Sequence, residues 1–119
     1  MFPSLNGPEL LARDLGDFSP KPTTVTPGQV EASALLWRSA DGQVSMGLWE
    51  CTEGRFTARR DEGNEICHIL RGRVTLIHPD SRETDHGPGD LFVLPQGWVG
   101  SWVIHERTRK IYTFQTVTA

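Results

Sequence analysis

The 119-residue sequence predicts an all-β barrel or sandwich closed around one core. Three observations carry that expectation. Apolar residues recur in short strand-like runs, the runs are cut by Gly, Pro and Asp turns, and no stretch sustains a helical period. A chain of this length can bury one sizeable core, and 37% hydrophobic with 23% charged residues is ordinary for a globular domain.

Taken in order, residues 1–30 read as an irregular N-terminal arm, and residues 31–119 as the barrel. The arm's "NGPELLARDLGDFSPKPTTVTPGQ" holds four of the eight prolines, with one apolar patch at Leu10, Leu11 and Leu15. It is expected to contain one helical turn and to lie on the barrel or on a partner subunit. "EASALLWRS" and "VSMGLWECT" flank an Asp-Gly turn and read as a hairpin. "GRFTARR" and "NEICHIL" follow, separated by Asp61, Glu62 and Gly63. "RGR" is expected to make a tight connection into "VTLIH", with Gly72 at positive φ. After the "PDSRE" turn come "DLFVLP", "GWVGSWVIHE" and "RKIYTFQTV". Apolar side chains on both faces around Trp37 and Trp49 suggest strands covered twice, as at a subunit interface.

A net charge of −3 and a pI near 5.7 offer no basic footprint for nucleic acid. No apolar run approaches the roughly 20 residues of a membrane-spanning helix. The opening "MFPSLNGPEL" lacks the charged and apolar regions of a signal peptide, so a cytoplasmic location is expected. Cys51 and Cys67 have no CxxC spacing and read as small buried thiols rather than redox groups.

"GRFTARRDEGNEICHILRG", residues 54–72, resembles the first cupin motif, and "GDLFVLPQG", residues 89–97, resembles the second. With "GLWECTEGRF", "GWVGSW" and "HERTRKIY", the likeness sharpens to the ureidoglycine aminohydrolase cupin-domain family and covers about residues 28 to 115. The resemblance implies a single-domain cupin: an RmlC-like jelly roll, or double-stranded β-helix barrel, and a homodimer. It also implies a metal site in which two histidines, a glutamate and a later histidine converge on a divalent ion.

Here that pattern breaks. Glu65 stands in the glutamate position, but Ala58 and Arg60 fall where the first two histidines belong. The shorter spacing gives Arg59 and Asp61, and the third position falls on Gly100. No cofactor is therefore expected, with Glu65 the surviving ligand position; an unusual divalent site using Asp61 or Cys67 stays open. His68 is three residues from Glu65 and so faces the other side of its strand. His78 and His86 read as solvated residues flanking a turn, and His105 as part of a polar rim with Glu106, Arg109 and Lys110.

A carboxylate facing the interior beside Cys67 and Ile69 costs several kcal/mol unless it is paired. Arg60 supplies a counter-charge where the metal is missing. Two readings stay open: a structural ion pair, or a polar pocket in which Arg60 binds a small anionic or amide-bearing ligand and Glu65 orients it or moves a proton. Cys67, Trp98, Trp102 and Tyr112 are the other expected pocket residues, the aromatics either stacking on a planar ligand or plugging the lumen. The favoured function is a small-molecule-binding cupin without the standard metal. The alternatives are a metal-dependent hydrolase or aminohydrolase of a small ureido or amide compound, and a structural dimeric module.

Overall fold

The computed structural model describes residues 3–117, which form one short helix and eight strands. The helix is α1 (Gly7–Ala12). The strands are β1 (Ser19–Pro20), β2 (Val30–Arg38), β3 (Val44–Cys51), β4 (Gly54–Arg59), β5 (Gly63–Ile77), β6 (Glu83–His86), β7 (Leu91–Leu94) and β8 (Val99–Thr116). No helix among the described residues is long and apolar enough to cross a membrane.

Two long antiparallel strands organise the barrel. β5 and β8 stay paired from Gly63↔Thr116 to Ile77↔Ser101. The free edge of β8 takes β3 along one half, from Val44↔Gln115 to Cys51↔Thr108, and β4 along the other, from Gly54↔Ile104 to Arg59↔Val99. The free edge of β5 likewise takes β7 and then β6. One face of the jelly roll is thus β1-β2-β3-β8-β5-β7 and the other β4-β8-β5-β6, with β5 and β8 bending from one into the other.

The bend corrects the expected connection at "RGR". The chain does not turn there; β5 continues through register shifts between Ile69 and Val74. Extra residues on one strand sharpen its twist and bend it, so bulges do what a turn was expected to do. Gly72 sits in this stretch at φ +99°, and a Cβ there would come within 2.5 Å of the Arg107 carbonyl oxygen. "GWVGSWVIHE" and "RKIYTFQTV" likewise merge into the single strand β8.

Strand alternation sets the two faces of each layer. Phe56 and Ala58 of β4 point inward, as do Glu65, Cys67 and Ile69 of β5. Trp49, Phe56, Cys67, Leu76, Leu94, Trp102 and Ile104 belong to the core between the layers. Its centre is aromatic: Phe56 stacks on Trp102 at 5.7 Å, and Trp49 meets both edge-on.

The described part of the arm is held against this barrel at several points. Asn6 and Glu9 form a reciprocal capping box that starts α1. At its other end the Leu10 carbonyl accepts from Arg109 Nη1 at 2.9 Å. Further on, Val25 N–H donates to the Arg55 carbonyl, and Gln29, almost wholly buried, donates to the Thr52 carbonyl.

Candidate functional site

Arg60 follows Ala58 in the inward alternation of β4, just where the strand ends, so its guanidinium turns back toward the barrel. Its Nε donates to Glu65 Oε1 at 2.8 Å and its Nη1 to the Arg59 carbonyl. The second partner of Glu65 is Lys110, whose Nζ lies 2.9 Å from Oε2. Lys110 is itself buried and sits between Trp49 and Trp102, 4.4 Å from each ring centroid. Two aromatic faces thus replace part of the ammonium's lost hydration.

These groups stand at one wall of a cavity of about 580 Å³. Trp49, Phe56, Tyr112 and Phe114 give it aromatic walls, and Ser33 and Ser45 bring hydroxyls. The register explains the grouping. Trp49, Gly47 and Ser45 of β3 lie opposite Lys110, Tyr112 and Phe114 of β8, all on the inner face. Gly47 matters because a Cβ there would come within 2.5 Å of the Tyr112 hydroxyl. At the rim, Arg59 pairs with Asp61, and Lys21 with Glu31.

Of the expected pocket residues, the structure brings Arg60, Glu65 and Tyr112 together on the cavity wall. Cys67 is fully buried beside Glu65, and Trp102 lies in the aromatic core beneath Lys110. Trp98 is directed elsewhere, donating to His78 Nδ1 at 3.2 Å. His78 and His86 each approach Thr84 Oγ1, at 2.8 and 2.9 Å.

The polar rim expected around Arg109 and Lys110 needs correction: both are buried, because each finds a carboxylate on another strand, Glu50 or Glu65. Lys110 is the charged site residue that sequence reasoning missed, and Ser33, Ser45, Trp49, Phe56 and Phe114 of the cavity wall were not expected there either. A signal was available, since Lys110 and Tyr112 are two apart on one strand and must share a face.

Burial alone would raise the Glu65 carboxyl, but the charges of Lys110 and Arg60 prevail and hold it down at about 2. Burial likewise disfavours the Lys110 ammonium, yet the surrounding negative charge raises its pKa. Burial pushes both cysteine thiols up to about 12, which leaves them inert as nucleophiles.

Acid stability follows from the Glu65 shift. A carboxyl whose folded pKa lies below its ordinary 4.5 stabilises the fold above that pH. Its contribution, about 3 kcal/mol, is lost as pH falls from about 4.5 toward about 2. Urea unfolding across that window should show a clearly smaller loss in Glu65→Gln than in the wild type, the remainder coming from carboxylates such as Glu50, which Arg109 and Arg107 also hold below the ordinary value. A wild-type stability that stays level throughout would contradict the assignment.

Residues 38–112, more than half of the chain, match the family profile described as the EutQ-like cupin domain. The chain belongs to this cupin family. Solved structures agree on the fold of this EutQ-like cupin. The EutQ protein of Clostridium difficile is 22% identical with a TM-score of 0.66, over 78% of this chain and 73% of that one. A putative ethanolamine utilization protein Q from Salmonella typhimurium is 18% identical with a TM-score of 0.65, over 75% and 72%. A Pseudomonas syringae protein of unknown function from the DUF861 family gives 0.72 at 22% identity, over 85% of this chain and 45% of that one. No curated protein matches the sequence.

The residues of this EutQ-like cupin do not fit the metal that the cupin motif implies. Ala58 and Gly100 offer no ligand atom at their motif positions, and the Arg60 and Lys110 cations hold the Glu65 carboxylate from both oxygens. A divalent cation would have to displace the partly buried Arg60 and the buried Lys110. Among the described residues no three His, Cys, Asp or Glu side chains are grouped to hold an ion.

Proposed function

We propose that this cupin binds a small monoanion, a carboxylate with a planar or amide-bearing body, in the barrel cavity without a metal. The charge count at the cavity wall carries the reading. Arg60 and Lys110 share the single carboxylate of Glu65, so the ionised trio keeps one positive charge on the inner wall of the cavity, where Glu65 and Lys110 are buried beside Trp49 and Tyr112. An anion neutralises that charge where water screens it poorly. The rim pairs Arg59–Asp61 and Lys21–Glu31 are already balanced, and the remaining carboxylate of the lining, Glu62, is exposed at the mouth, so the positive excess belongs to the inner wall.

The walls suit the rest of the ligand. Tyr112, whose phenol burial raises, stays a donor at neutral pH, and Ser33 and Ser45 hold hydroxyls for an amide or ureido group. That chemistry is compatible with the ureido acids suggested by the resemblance to ureidoglycine aminohydrolase. Binding is favoured over hydrolysis because a carboxyl held at about 2 is a poor proton carrier near pH 7. In this reading Glu65 orients Arg60 and Lys110.

Isothermal titration with ureidoacetate and benzoate, against neutral benzamide, tests the proposal. The carboxylates are expected to bind at least about tenfold more tightly than the amide, and Arg60→Gln should remove roughly that factor, worth about 1.4 kcal/mol. Equal binding of acid and amide, or no saturable binding of either acid, would overturn it.

A further inference from the structure

The register places three charged residues in a row on the outer face. Glu50 of β3 lies opposite Arg109 of β8, which lies opposite Arg71 of β5, and Arg107 follows on the same face of β8. Like charges directly opposite one another repel, so Arg71 and Arg109 need an anion between them. Glu50 supplies one: Oε1 accepts from Arg109 Nε at 2.7 Å and Arg71 Nη2 at 3.1 Å, and Oε2 accepts from Arg107 Nε.

One carboxylate does not neutralise three guanidinium groups. Glu53 also comes close, accepting from the Arg107 main-chain N–H, and the local sum remains positive. The three arginines are not equivalent. Arg109 is buried and committed to Glu50 and to the Leu10 carbonyl. Arg71 and Arg107 are half-exposed, each giving one guanidinium nitrogen to Glu50. Arg107 is also held in place over the Phe18 ring, at 4.6 Å.

We propose that Arg71 and Arg107 form a second anion site, on the outside of the barrel, for a phosphate group, carried either by inorganic phosphate or by a phosphorylated small molecule. Two planar forks anchored on one carboxylate leave several N–H donors for a tetrahedral oxyanion, which has acceptors in more directions than a carboxylate. Glu50 sets the spacing of the forks, and Phe18 limits the motion of one of them. This site is independent of the cavity, since Glu50 and Trp49 are neighbours on β3 that point to opposite faces.

The test titrates the full chain with inorganic phosphate at ionic strength held constant with chloride, following the arginine Nε–H signals by NMR. Saturable shifts at Arg71 and Arg107 are expected. Arg71→Gln and Arg107→Gln should each weaken binding about tenfold or more, and both half-exposed positions should leave a cooperative melt. Arg60→Gln should leave phosphate binding unchanged. Glycerol phosphate binding more tightly than phosphate would identify an ester as the ligand, and equal affinity would identify the group alone; either supports the site. Shifts that never saturate, or phosphate binding lost in Arg60→Gln but kept in Arg71→Gln, would overturn the proposal.

Discussion

Glu65→Ala is expected to destabilise the fold by about 3–5 kcal/mol, because it leaves Arg60 and Lys110 side by side with no counter-charge. Both cations are largely buried, so solvent cannot take over the role of the carboxylate. For a domain of this size the melting temperature should fall on the order of 10–20 °C. Adding Lys110→Met to Glu65→Ala should recover part of the loss, since it removes the more deeply buried charge and keeps an unbranched apolar stem between Trp49 and Trp102. Lys110 also gives the single variant a pH signature. Without Glu65, burial acts on the ammonium with little opposition, its pKa falls, and the deficit should shrink as pH rises through that lowered value. A single variant within about 1 kcal/mol of wild type would mean that the trio is not the buried, ionised cluster described here.

Glu50→Ala should have an effect of similar size, again about 3–5 kcal/mol, for a related reason at a different place. Arg109 is nearly as buried as Lys110, and Glu50 is its carboxylate partner. Removing Glu50 also sets Arg71 against Arg109 across β5 and β8 with nothing between them. The damage should spread to the arm, because Arg109 also holds the Leu10 carbonyl at the end of α1. Hydrogen exchange is the discriminating measurement: amides of residues 9–13 should lose protection in Glu50→Ala more than those of β3 or β4. Uniform loss across the barrel would show that Arg109 does not anchor the arm.

Much of the architecture was legible because period-2 alternation is a local signal. Ala58 and then Arg60 could be followed onto one face, as could Glu65, Cys67 and Ile69, and the Arg60–Glu65 pair came from that parity together with the place of Arg60 at a histidine position of the cupin motif. What escaped was non-local. "RGR" and "HERTRK" looked like breaks because arginines and a glycine rarely continue a strand; here bulges carry the bend and Glu50, on a third strand, offsets part of the charge. Lys110 was hidden for the same reason, since a lysine reads as exposed until its buried carboxylate is known. Trp98 illustrates the converse. Its place beside the second motif suggested the barrel mouth, but an indole N–H seeks an acceptor, and His78 across the layer provides it.

The pairing of β5 with β8 has a consequence for how the molecule is made. Gly63 must find Thr116 and Ile77 must find Ser101, so the ladder that joins the two layers consists of distant contacts. Such pairings close slowly, because the intervening chain must be ordered before they contribute. During synthesis Glu65 leaves the ribosome well before Lys110, and until β8 arrives it has at most Arg60 for company. The barrel and its charged cluster are therefore completed in one late event, and a chain stalled short of β8 would expose the inner face of β3, β4 and β5 to whatever lies nearby.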